Sequence, residues 1–175
     1  MSVYNKIKPN LIYFLKCLEN YNEIPFNKKI VKYGFSVGFL YKELCEDFNL
    51  RIIANIEKCL SQELNQKEGK TFSGWLNMTL GKGFSDDLDS FSTSFDERQK
   101  FSMEMIREEL YRIMKKLEKL STQVQALSKE NAKNLKVEHS KFGFLTLEEW
   151  FELGQNNLDL YKDLKEDLDA ELSSF

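Results

Sequence analysis

Apolar residues recur along this chain mainly at spacings of three and four, the period of a helix with one buried face. On that pattern helices are expected over about 6–21, 26–33, 37–47, 49–66, 71–80, 96–133 and 146–172. Phe26, Ile30 and Tyr33 give the second of these one apolar face after Pro25, and Pro9 falls in the first turn of the first, where a missing amide hydrogen is tolerated. The longest regular signal is a seam of Met103, Ile106, Leu110, Ile113, Leu117, Leu120, Val124 and Leu127 at heptad spacing, ending where Asn131 and Asn134 take the next two seam positions. A helix of about 35 residues spans roughly 50 Å and needs a companion of similar length. The last helix is the natural one: Thr146 and Glu149 form a capping box, and Leu147, Trp150, Phe151, Leu158, Leu164, Leu168 and Leu172 supply apolar positions.

These elements predict an all-α fold in three parts. Residues 1–66 form a helix-turn-helix-like N-terminal unit, a three-helix set over 6–21, 26–33 and 37–47 continued by the helix over 49–66. Residues 67–95, with Gly69, Gly74, Gly81 and Gly83 and a serine-rich acidic second half, form a connection carrying a short helix. Residues 96–175 form a C-terminal bundle. Two prolines and eight glycines in 175 residues agree with long helices and short connections, and 14 phenylalanines supply core material.

The segment Gly34-Phe35-Ser36-Val37-Gly38-Phe39-Leu40-Tyr41 reads as the turn and second helix of a helix-turn-helix. Gly34 supplies a positive-φ turn residue and Ser36 can cap the helix that follows. The pattern G-x-S-x-G-x-L-Y over residues of about 10–56 resembles the tetracycline-repressor family of one-component regulators. That resemblance implies a dimeric, ligand-responsive transcriptional regulator. Ser36, Val37, Phe39, Tyr41 and Lys42 would face the major groove of double-stranded DNA, and Lys28, Lys29 and Lys32 would approach the backbone. It also implies a homodimer built on the C-terminal helices, with Leu110, Ile113, Leu117, Leu120, Val124 and Leu127 at the interface. A small apolar effector would lie among Phe72, Trp75 and Met78. The same heptads fit a bundle within one chain equally well.

Charge is distributed unevenly. Residues 1–34 hold six lysines against two acids, whereas residues 141–175 hold three lysines against nine acids, so the two ends attract one another or different partners. Candidate enzyme chemistry is sparse. Gly69-Lys70-Thr71 lacks the first glycine of a phosphate-binding loop, and His139 is the only histidine, with no partner for a metal site or a triad. Cys17, Cys45 and Cys59 stand apart, as reduced thiols in a core do. No apolar run of 18 residues and no secretory leader is present, so a cytoplasmic protein without enzyme activity, cofactor, metal or membrane contact is expected. The competing functional expectation is a non-enzymatic helical protein-interaction module, of immunity, adaptor or secreted-effector type, meeting its partner through the seam and the acidic last helix.

Overall fold

The computed structural model describes residues 4–61, 70–71 and 95–173, and the expected helix 71–80, the cluster of Phe72, Trp75 and Met78 and most of the connection 67–95 lie outside them. The described chain is mostly helical with one small antiparallel hairpin. In order it runs α1 (Tyr4–Leu18), α2 (Glu23–Asn27), α3 (Val37–Asp47), a π-helical segment (Phe48–Ile53), α4 (Ala54–Leu60), α5 (Met103–Gln125), α6 (Lys129–Asn134), β1 (Lys136–His139), β2 (Gly143–Thr146) and α7 (Leu147–Ser173). Helix α3, the π segment and α4 follow without a break.

Helix α7 packs against α1, α3, the π segment, α4, α6 and β2, and α1 joins it to α5. On α1, Ile7, Leu11, Phe14 and Leu18 are buried, and both α5 and α7 lie against this helix. Pro9 sits beyond the first turn, because the helix already begins at Tyr4; both Pro9 and Asn5, whose carbonyl loses a donor, are exposed. The seam of α5 is filled inside one chain: Leu110, Ile113 and Leu117 are wholly buried against α1, α3 and the π segment, Ile106 and Leu120 nearly so, and Val124 and Leu127 are half-buried on the same core. This corrects two expectations. The companion of α5 is α1 with the α3–α4 rod rather than the last helix, and the residues assigned to a dimer interface belong to the intramolecular core. Heptads specify a partner surface, and a central helix of the same chain presents one at far higher effective concentration than a second subunit does.

Three further boundaries differ from expectation. The helix expected over 26–33 shrinks to Glu23–Asn27, and Ile30 forms an isolated bridge with Phe35 across a turn in which Gly34 has φ 79°. The helix expected over 96–133 starts only at Met103 and breaks at Ala126–Ser128, where Ser128 caps α6 by accepting from the Asn131 amide at 3.2 Å. A hairpin then pairs Val137 with Leu145. Its two four-residue strands are too short for alternation to stand out beside the helical pattern. The capping box of α7 forms as expected: Glu149 Oε2 accepts from the Thr146 amide at 2.8 Å, and Thr146 Oγ1 accepts from the Glu149 amide at 3.3 Å.

The charged ends meet. Asn10 donates to Asp159 at 2.7 Å, Tyr13 to Glu166 at 3.0 Å, Tyr33 to Asp167 at 3.3 Å and Lys32 to Glu171 at 2.9 Å, with Tyr21 donating to Asp169. Lys165, buried between the rings of Tyr13 and Tyr21, completes this seam by pairing with Asp169 at 2.5 Å. Much of the acidic face of α7 is thereby engaged with α1 and the turn after α2.

Candidate recognition groove

The motif around Gly34 has a structural explanation at each position. Gly34 makes the left-handed turn, and Ser36 Oγ accepts from the Phe39 amide at 3.2 Å, capping α3. Gly38 leaves space for two aromatic side chains: a Cβ there would stand 3.0 Å from Phe26 and 3.1 Å from Phe101. The helix that follows is turned into the protein. Ser36, Val37 and Tyr41 have no exposed surface and Phe39 has 1%. Tyr41 donates to the Phe14 carbonyl at 3.0 Å and meets the rings of Phe14, Tyr21 and Phe26.

Four of the five residues expected to read base edges, Ser36, Val37, Phe39 and Tyr41, are therefore core residues, and this corrects their assignment. A residue inserted between helices cannot also reach a duplex. Lys42 is half-buried and held by Glu43 at 2.8 Å and Glu46 at 2.7 Å; burial would lower its pKa, but the two carboxylates outweigh that and hold it above its usual value. Lys28, Lys29 and Lys32 are exposed, with Lys29 paired to Glu97 at 2.6 Å and Lys32 to Glu171. Recognition residues and backbone lysines are not assembled into one reading surface.

What the fold does assemble lies beside α3. Asn27 pins an incoming strip by a reciprocal pair, its Oδ1 accepting from the Phe101 amide at 2.7 Å and its Nδ2 donating to the Phe101 carbonyl at 3.1 Å. The Phe101 ring then packs against Gly38 and Phe39. Ser102 caps α5, accepting from the Met105 amide at 3.4 Å. This strip, Gln99 to Ser102, separates two concavities. The larger in apolar character is a groove of about 550 Å³ between the α3–π wall and the first turns of α5, lined by Cys45, Leu50, Phe101, Met105 and Ile106 and rimmed by Lys42, Glu46, Asn49, Lys100 and Glu109. The other, about 590 Å³, holds Ile24, Asn27 and Lys28 on the far side of the strip.

Large apolar side chains stand exposed here. Among the described residues Ile24 is 84% exposed, Leu50 72% and Met105 71%, and all three line these two concavities. Leu50, Ile53 and Ile56 recur at the three-residue spacing of one helical face, within the helix expected over 49–66. The π segment has a wider turn than an α-helix, which carries Leu50 round to the groove while Ile53 and Ile56 stay buried. The signal for Met105 lay in the sequence: an apolar residue out of phase with the seam of Met103 and Ile106. Nothing in the sequence marked Asn27 as the residue that positions the strip.

The lining of the groove contains no histidine, and burial, with Glu109 and Glu46 close by, pushes the Cys45 thiol up to about 12. His139 stands elsewhere, in the hairpin turn. Its Nδ1 accepts from the amides of Lys141 at 3.1 Å and Phe142 at 3.2 Å while its ring stacks on Phe142, so it shapes the turn. Lys70 pairs with Glu149 and bridges to Gly143, so this part of the phosphate-loop-like string is a brace for the hairpin. Among the described residues no group of three or more His, Cys, Asp or Glu is placed to hold a metal ion, and no helix is long and apolar enough to cross a membrane. Scans of the chain against protein-family models, curated proteins and solved structures return no match.

Proposed function

We propose that this protein is a helical protein-interaction module whose contact surface is the groove between the α3–π wall and the start of α5. One observation carries the reading: Ile24, Leu50 and Met105, each more than two-thirds exposed, converge on two concavities either side of one pinned strip. Single apolar residues scattered over a surface need no explanation, but a cluster around a groove marks a contact site. The frame is rigid enough to present it, since Asn27 holds the strip and the walls are packed helices.

Duplex recognition has less support, because Ser36, Val37, Phe39 and Tyr41 are buried, Lys42 is held by Glu43 and Glu46, and Lys29 and Lys32 are paired with carboxylates. Site-specific photo-crosslinking tests the proposal in cells that carry the gene. A photoreactive residue at Leu50 or Met105 is expected to capture a defined polypeptide that the same residue at Val31, 88% exposed on the turn after α2, does not capture. Equal labelling from Val31, or no adduct from the groove positions, refutes the reading.

A further inference from the structure

The polar rim of the groove is satisfied from within the chain. Lys42 is held by Glu43 and Glu46, Asn49 donates to Glu109 at 2.7 Å, and Glu109 also pairs with Arg112. Two things remain unmatched. One is the apolar area of Leu50 and Met105. The other is a single cation, Lys100, which is exposed on the strip, borders both concavities and has no ion-pair or hydrogen-bond partner among the described residues.

The walls also restrict the backbone of anything that binds. Beyond the first turn of α5 they are helices whose amides and carbonyls are bonded along their own axes, and on the strip Asn27 takes the amide and carbonyl of Phe101. An extended peptide laid in this groove finds at most the short strip beside Phe101 to pair with, so most of its own polar backbone would be buried without partners. A helix brings its backbone already satisfied. It also packs between two helical walls by the same ridge-and-groove geometry that holds α5 against α1.

We infer that the occupant is an amphipathic helix of a partner protein, carrying two apolar anchors about one turn apart for the groove of Leu50 and Met105 and an acidic side chain that pairs with Lys100. The acid is needed because covering an ammonium without a counter-charge costs the desolvation that a carboxylate offsets. This rests on the groove being the contact surface, and the test separates the two claims.

Helical peptides randomised at their exposed positions are displayed and selected on the full chain, on the Leu50→Glu Met105→Glu double variant and on Lys100→Glu. Because all three substituted residues are exposed, the variants are expected to fold as the parent does, which circular dichroism verifies. The expected result is enrichment of apolar pairs at three- or four-residue spacing next to Asp or Glu. Binding of those peptides should fall at least about tenfold on the double variant, and Lys100→Glu should switch the selected charge from acidic to basic. Peptides that bind the double variant undiminished overturn the groove itself, and the interaction reading with it. Peptides that need Leu50 and Met105 but show no charge preference, or keep their acid on Lys100→Glu, leave the groove standing and overturn the acidic-helix inference. Failure to select any groove-dependent peptide overturns the inference as well.

Discussion

Tyr41 and Leu50 lie nine residues apart on one continuous helical rod, yet the first has no exposed surface and the second is 72% exposed. Both are large and apolar, and both fall in helical register with apolar neighbours. What separates them is the opposite wall. Tyr41 faces Phe14, Tyr21 and Phe26 on α1, α2 and the turn between them, whereas Leu50 faces a groove that the described residues leave open. Apolar character therefore marks a demand for a partner surface, and only the packing shows whether the chain meets that demand itself.

The largest expected effect breaks the internal side of this comparison at its most buried stripe. Replacing Leu117 and Leu120 by Glu places two carboxylates against α1 and the α3–α4 rod, and each unpaired buried charge costs several kcal/mol, enough to exhaust the stability of a small domain. Global unfolding is expected by circular dichroism. A folded monomer would instead show that the seam serves a second subunit.

Next in size is Tyr41→Ala, which removes a wholly buried ring and its bond to the Phe14 carbonyl. A loss of about 3–5 kcal/mol is expected in urea unfolding, the scale of an aromatic truncation in a core. A change below about 1 kcal/mol would return Tyr41 to the surface and reopen the duplex-reading assignment.

A smaller effect tests how α7 is fastened at its start. Burial alone would raise the Glu149 carboxyl, but the Lys70 ammonium and the Thr146 amide outweigh it and hold the pKa below the ordinary 4.5. A depressed folded-state value means that stability is fully present above 4.5 and is lost as the pH falls through the folded-state value. Glu149→Gln is therefore expected to cost about 1 kcal/mol at pH 7. The gap between the two melting temperatures should close as the medium is acidified below the ordinary carboxylate range. A gap that is constant with pH would remove the charge from the explanation.

The smallest effect lies on the open side. Leu50→Glu with Met105→Glu should change stability by no more than about 0.5 kcal/mol, since neither side chain is buried. A loss of several kcal/mol would make these residues part of the fold and remove the groove as a site.

Much of this architecture was legible in the chain. The positions of α1, α3, α5 and α7, the Ser36 cap, the Gly34 turn and the Thr146–Glu149 box follow from local rules of periodicity, backbone freedom and orphan amide groups, which act within a few residues. The expected meeting of the two ends takes a different form from charge attraction: Asn10, Tyr13 and Tyr33 reach the acids of α7 as neutral donors, and of these contacts Lys32–Glu171 is the ion pair. The G-x-S-x-G string misled because its local meaning and its tertiary meaning differ. Turn, cap and close approach are requirements of any tight helical corner, and the same residues serve a DNA-reading hairpin or a buried one.

The sequence by itself determined that helices form, where most of them lie, and how their ends are capped. Tertiary structure decided which faces are core, because an apolar stripe is satisfied by whichever surface the rest of the chain brings to it. Helix α1 and the α3–α4 rod took the seam of α5, helices α2, α5 and α7 took the inner face of α3, the π segment turned Leu50 outward, and Asn27 set the strip that opens the groove. Each of these depends on residues tens of positions apart meeting in space, and no local rule of spacing carries that information.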